Sequence, residues 1–332
     1  MILVSGATGQ VGKAVVRTLR RLSLDVRALV RKGSEYYWLN DTGCRYFFGD
    51  LRDAASLKRA TRDMRYLVLC HNVGVEGRDN NHDLVTVQGT ASLMEAARAS
   101  GVERVVLVSC LGAERHPGVV AFAARKRAEE HVLASGLDYT ILRVGVHEGP
   151  FLSLAMRARA GGRPLSPGPG ANRLSPLASV DIGRMAASSL DLQDVKNQIL
   201  ELGGAPHSAR ELLDMACQSV GVASAPRALP SAAVSVGARL GRPVRRYANR
   251  LAELGVWFNE DLTADAEASA RRFNLKLTPM SAAMADTGRF LVGRADPEER
   301  DKLIVHRQFY ATIYEPGTAR LEDMPEGPQR PT

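Results

Sequence analysis

The stretch "GATGQVG", Gly6 to Gly12, sets three glycines at G-x-x-G-x-x-G spacing between the apolar run 2–5 and a segment of helical period over 12–22. Each glycine has a separate physical reason. One makes the tight turn, a second lets the backbone approach a pyrophosphate, and the third lets the helix pack on the strand. Phosphate then rests on the free N–H groups of the helix start. Arg31 and Lys32 end the next apolar run, about twenty residues after the loop, where an NAD site usually has an acid for the ribose hydroxyls. Two cations there suit a 2′-phosphate, which predicts NADP(H) rather than NAD(H); the plainer alternative is a solvated basic turn. Asp50, in "GDLRD", would cap a turn or touch the adenine edge.

These residues must be positioned by a frame, and the chain supplies one. Runs 2–5, 26–30, 45–48, 66–70, 104–109, 138–143 and 198–202 have the length and branched-residue content of buried strands, and segments such as 12–22 and 87–100 between them have helical period. That alternation predicts an α/β fold: a doubly wound parallel sheet of the NAD(P)-binding Rossmann kind, with a smaller, mainly helical C-terminal lobe. The expected division is a cofactor-binding core over 1–150, a substrate or partner lobe over 151–315 interleaved with the last strands of the core, and a disordered, Pro- and charge-rich tail over 316–332. Residues 161–176, rich in Gly and Pro, read as a surface excursion. "SVDIGRMAASSL" reads as a helix opened by Asp181, and "SARELLDMACQSVG" as one capped by Ser208 with Glu211 three residues on.

Composition narrows the function classes. With 45% apolar and 24% charged residues in 332, the chain is an ordinary globular protein with ample core. Its formal charge of +8 comes from scattered arginines without a nucleic-acid-binding signature, so no nucleic-acid partner is expected. Cys44, Cys70, Cys110 and Cys217 form no C-x-x-C pair and read as reduced thiols. No leader pattern or apolar run of about 20 residues stands out, which predicts a cytoplasmic protein, with membrane contact at most peripheral.

"GATGQVG", "ALVRKGS", "GDLRD", "GTASLMEAARASGVERVVLVSCLGAE", "ASGLDYTILR", "SVDIGRMAA" and "LELGGAPHSARELL" occur in the order found in NmrA-like atypical short-chain dehydrogenases/reductases, which residues 1–230 resemble. The remainder resembles, more loosely, the C-terminal lobe in relatives of the NADPH-binding accessory subunit of respiratory complex I and of photosystem II assembly proteins. The resemblance implies cofactor contacts from Gly6, Thr8, Gly9, Gln10, Val11, Gly12, Arg31 and Asp50, with Cys70, His71 and Asn72 beside the ribose and nicotinamide; Lys32 joins them as the second cation of the pair after the second apolar run.

Typical members of that superfamily reduce carbonyls with a Ser and a Y-x-x-x-K pair, the tyrosine giving up a proton beside an ammonium. Ser109 takes the serine position, and Arg125 or Lys126 the lysine position; Lys126 is the candidate to hold the nicotinamide ribose. Four residues earlier stand Ala121 and Phe122, neither able to donate a proton. His116 is the favoured substitute acid, with Glu114, His147 and Glu148 as others. Arg143 reads as an ion-pair partner.

An arginine-flanked apolar stripe over 238–258 could dock on an anionic membrane or a partner subunit, or pack on its own lobe. Two functions follow: hydride transfer from NADPH to a conjugated or quinone-like molecule, or a non-catalytic NADPH-binding scaffold, redox sensor or accessory subunit of a membrane-associated complex.

Overall fold

The computed structural model describes residues 1–74, 76–162, 165–223, 227–228 and 245–294. Its first half runs β1 (Ile2–Ser5), α1 (Gln10–Arg21), β2 (Val26–Val30), a 3-10 turn (Tyr37–Thr42), β3 (Arg45–Phe48), α2 (Ala54–Ala60), β4 (Tyr66–Leu69), a π-turn (His82–Gln88), α3 (Gly89–Ala99), β5 (Arg104–Cys110), α4 (Val120–Leu133) and β6 (Asp138–Val144). There follow α5 (Gly149–Arg159), β7 (Leu165–Ser166), β8 (Arg173–Leu174), α6 (Ser179–Ser188), β9 (Gln198–Leu202), β10 (His207–Ser208), α7 (Ala209–Ser219), β11 (Arg227–Ala228), α8 (Arg245–Asn259), α9 (Ala266–Arg272) and α10 (Met280–Arg294).

The main sheet has the order β3-β2-β1-β4-β5-β6-β9, with all seven strands parallel. Every residue of β1 and β2 is buried, because helices cover both faces. On one face Val15, Val16 and Leu19 of α1 meet Ile182 and Met185 of α6. A Cβ on Gly183 would lie 2.8 Å from the Ala14 carbonyl, so this glycine sets how closely α1 and α6 approach. On the other face Leu57 of α2 and Leu93 of α3 cover the sheet. A third cluster, around Phe151, Leu212, Trp257, Phe258 and Met284, is the core of the helical lobe. β9 returns from the lobe to the sheet edge beside β6.

The strand pattern in the sequence agrees with these strands, and α7 carries the expected Ser208–Glu211 capping box. Two readings need correction. Asp181 does not cap α6; it lies inside the first turn, fully buried, and accepts hydrogen bonds from Thr278 N (2.6 Å) and Oγ1 (3.0 Å). A carboxylate within the first turn still favours the helix N-terminus, but here its oxygens tie down the chain ahead of α10. Nor does the described segment 166–176 run wholly over the surface. Ser166, Leu174 and Ser175 are buried, because the backbone of Leu262 bonds to Arg173 and Ser175 on either side of Leu174 and Asn259 donates to the Pro167 carbonyl. The Gly and Pro content reflects turns inside the lobe. For the arginine-flanked stripe, the packing alternative holds over its described second half: Leu254, Val256, Trp257 and Phe258 are in the lobe core. Residues 238–244 and the tail 316–332 lie outside the described residues.

Candidate functional site

The glycine loop leaves β1 through Gly6, whose φ of +66° is a left-handed conformation that side chains disfavour. A Cβ there would also meet the His71 amide nitrogen at 2.5 Å, and one on Gly12 the Gly6 carbonyl oxygen at 2.1 Å. The loop, the end of β4 and the first turn of α1 are therefore pressed together. Gly9 differs: it is exposed, and a Cβ would meet only the Gly6 oxygen at 3.3 Å. α1 has no side-chain cap and no acid in its first turn, so its leading N–H groups suit an anion. Thr8 lies half-buried beside them, and Val11 packs on the core.

Gln10 points away from this turn. Its amide nitrogen donates to Glu148 Oε1 (3.1 Å) and reaches the hydroxyls of Ser179 (3.4 Å) and Thr287 (3.3 Å). Glu148, 1% exposed, also accepts from Ser179 N at 3.0 Å and from Thr287 at 3.3 Å. This network joins the nucleotide loop to α6 and to the lobe helix α10. Phe290 of α10 adds an edge contact to Trp38 (4.8 Å) and lies under the Lys13 ammonium (5.5 Å).

Two clefts flank the loop. The one beyond β2 and β3, about 730 Å³, is lined by Arg31, Lys32, Asp50, Arg52, Arg59 and Arg78. Arg52 grips Asp50 through two hydrogen bonds (2.9 and 2.6 Å), and that guanidinium holds the Asp50 carboxyl below the usual carboxylate range. Arg31 donates to Asn80 at 3.0 Å. The sequence reading missed Arg52, Arg59 and Arg78; the "RD" after "GDL" and the arginine of "GRDNN" were the available signal. Five cations against three carboxylates, Asp50, Asp53 and Asp79, leave the cleft a positive excess that fits a phosphomonoester on the adenosine half of a dinucleotide.

At the C-terminal end of β4, His71 is clasped between Ser5 Oγ (2.7 Å) and Thr90 Oγ1 (2.9 Å), and burial pushes its pKa down to about 4. It is a neutral strut across the β1–β4 switch point. Burial pushes the Cys70 thiol up to about 12, so it is no nucleophile. Asn72 is exposed and lines the second cleft.

That second cleft, about 720 Å³, lies on the β6 side of the loop, and Gln10, Asn72, Arg125, His147, Arg250 and Trp257 are among its lining residues. The Gly149 amide donates to His147 Nδ1 at 3.1 Å, which leaves the ring proton on Nε2. Burial lowers the His147 pKa against the opposing pull of Glu148, with Arg125 acting in the direction of burial, so the ring stays neutral at pH 7. Arg125, rather than Lys126, faces the cleft; Lys126 pairs with Glu130 at 3.4 Å.

The other candidate acids and partners are elsewhere. Ser109 is 2% exposed and donates to the fully buried Glu129 at 2.6 Å; Arg143 grips that same carboxylate (2.8 and 3.1 Å). His116 lies edge-on to Phe122 (5.2 Å), beside Gly112, outside the lining of either cleft. Phe122 and Phe151 are 1% exposed in the lobe core and leave the second cleft open. No cluster of metal-ligating side chains occurs among the described residues.

A parallel sheet whose β1–β4 switch point carries a glycine turn, an uncapped helix and two flanking clefts defines an NAD(P)H-binding Rossmann protein. Residues 6–149 match the NAD(P)H-binding family model, in agreement with the chain's resemblance to NmrA-like atypical short-chain dehydrogenases/reductases. Its relatives divide between catalysis and assembly. It is 28% identical to an NAD(P)H azoreductase of Xenophilus azovorans over 250 residues, 75% of this chain and 77% of that one. It is 27% identical to a photosystem II assembly factor of Cyanophora paradoxa over 204 residues, 61% of this chain and 63% of that relative's length. The fold matches the solved NADPH complex of an Escherichia coli quinone oxidoreductase with a TM-score of 0.68 at 22% identity, covering 86% of this chain and 99% of that one.

Proposed function

We propose that the protein is an NADP(H)-dependent reductase of conjugated, quinone-like small molecules. One observation carries the reading: the second cleft opens onto Gln10 of the nucleotide loop itself, on the side away from the cationic adenosine cleft. The start of α1 would hold the pyrophosphate of a dinucleotide, Arg31, Lys32, Arg52, Arg59 and Arg78 would hold its adenosine half, and Asn72 and Arg125 would line the place of its nicotinamide half. Bound NADPH would supply a hydride from C4 of its nicotinamide; the acceptor gains that hydride and one proton, and NADP+ is released.

The chain's own residues orient and polarise. Arg125 takes the place of the missing lysine beside the nicotinamide ribose. The Nε2–H of His147 donates to the acceptor oxygen as negative charge develops there, and the proton comes from water at the open mouth of the cleft. A quinone tolerates this weak assistance because its π-system spreads the charge, whereas a simple ketone would need the absent tyrosine. Ser109 has a structural part, holding Glu129. The azoreductase and quinone oxidoreductase relatives support the reading.

A second reading is favoured by the same missing tyrosine and by the assembly-factor relative: an NADPH-binding scaffold for a larger complex. NADPH oxidation followed at 340 nm against a panel of quinones separates the two. Turnover supports the reductase; NADPH binding without turnover of any quinone, with co-purification of a stable complex, supports the scaffold.

A further inference from the structure

We propose that the second cleft selects an aromatic acceptor that carries an anionic group, a carboxylate or sulfonate, received by Arg250 and Arg157. The inference rests on the reductase reading and adds to it the charge of the substrate.

The cleft has an apolar wall, from Pro150, Met156, Trp257 and Leu291, that suits a flat ring system. Around that wall stand three guanidinium groups, Arg125, Arg157 and Arg250, against one carboxylate, Glu253, while His147 is held neutral. Three cations less one anion leave an excess of two positive charges among the described lining residues. A neutral quinone would leave that excess uncompensated; an anionic one matches it.

The position of Arg250 is more specific than a charge count. Its Nη1 donates to Glu253, which is 2% exposed, and its guanidinium lies 5.5 Å from the centre of the Trp257 ring. Carboxylate and indole thus fix the group from two sides. Nε and the other amino nitrogen make no hydrogen bond among the described residues. A guanidinium already ordered, with an unused pair of donors, is the form in which arginine grips an oxyanion at low entropic cost. Glu253 is held at the same time by Arg125 at 3.9 Å, so the buried carboxylate orders both the substrate-side and the cofactor-side arginine. Arg157, in the last turn of α5, is exposed and makes no ion pair among the described residues; its charge stands at the mouth of the cleft.

The test compares 1,2-naphthoquinone with 1,2-naphthoquinone-4-sulfonate as acceptors, and 2-naphthalenesulfonate with 2-naphthol as non-reducible ligands of the NADPH-loaded protein. A KM for the sulfonate about tenfold or more below that of the neutral quinone is expected, with the same order in the ligand pair. The ratio should fall at least about threefold in Arg157→Gln, whose side chain gives up no ion pair among the described residues. It should be lost in Arg250→Gln, which leaves the buried Glu253 still paired with Arg125. Equal affinity for both members of each pair, or a ratio unchanged in both variants, overturns the proposal while turnover keeps the reductase reading. If neither quinone is reduced, the reductase reading fails, and the proposal fails with it unless 2-naphthalenesulfonate still binds more tightly than 2-naphthol and loses that margin in the variants.

Discussion

Ser109 donates its hydroxyl to Glu129 at 2.6 Å in the buried layer between β5 and α4. The bond is one of three that the Glu129 carboxylate accepts, the others coming from Arg143, and burial raises the Glu129 pKa against them. A serine in the position that is catalytic in typical relatives is here part of a structural network.

Ser109→Ala should therefore change kcat/KM for quinone reduction by less than about threefold, and lower stability to urea by about 1–3 kcal/mol as Glu129 loses a donor. A residue delivering the proton would instead cost about 10²–10⁴ in rate. A loss of that size would return Ser109 to the chemistry.

Gly9 and Gly12 should fail in different ways. A Cβ at Gly12 collides with the Gly6 carbonyl, so Gly12→Ala should unfold or strongly destabilise the domain. Gly9→Ala has room and should keep its melting temperature within a few degrees, yet lose about tenfold or more in NADPH affinity, because the methyl stands where the pyrophosphate approaches. Thermal melts with and without NADPH check both; unchanged NADPH stabilisation in Gly9→Ala would contradict the placement.

Arg31→Ala and Arg59→Ala should each weaken NADPH binding by about tenfold while leaving NADH binding within about twofold, since the 2′-phosphate is the only difference between the ligands. Fluorescence titration of both coenzymes reads this directly. Equal losses for NADPH and NADH would place these cations away from the 2′-phosphate.

His71 makes stability depend on pH. Its pKa falls from 6.5 to about 4 on folding, so between those values the unfolded chain binds more protons. The contribution is complete above pH 6.5 and is lost as pH falls toward 4. Denaturant midpoints should decline over that window in the wild type and decline less in His71→Gln, whose amide can still join Ser5 and Thr90. Parallel curves for the two proteins would show that the strut does not control the acid limb.

The sheet was legible because its inner strands are short apolar runs, buried on both faces, where period and branching leave little choice. The cofactor loop was legible because backbone geometry admits only glycine at Gly6 and Gly12. What escaped was assembled in three dimensions. Arg52, Arg59 and Arg78 reach one cleft from a turn, a helix and a loop; Arg125 and Lys126 differ only in which side of α4 they occupy. Glu253 sits inside what reads as a basic stripe, and its burial beside Arg250 has no periodic signature. Asp181 has the composition of a cap, but the chain before α10 competes for its oxygens.

The central claim is that the glycine turn and the cationic cleft together hold NADPH. Isothermal titration calorimetry of the purified protein with NADPH and NADH tests it most directly. The account predicts one site per chain, with NADPH bound about tenfold or more tighter than NADH and the gap closing as salt is raised. No heat with either coenzyme, or tighter binding of NADH, would contradict it.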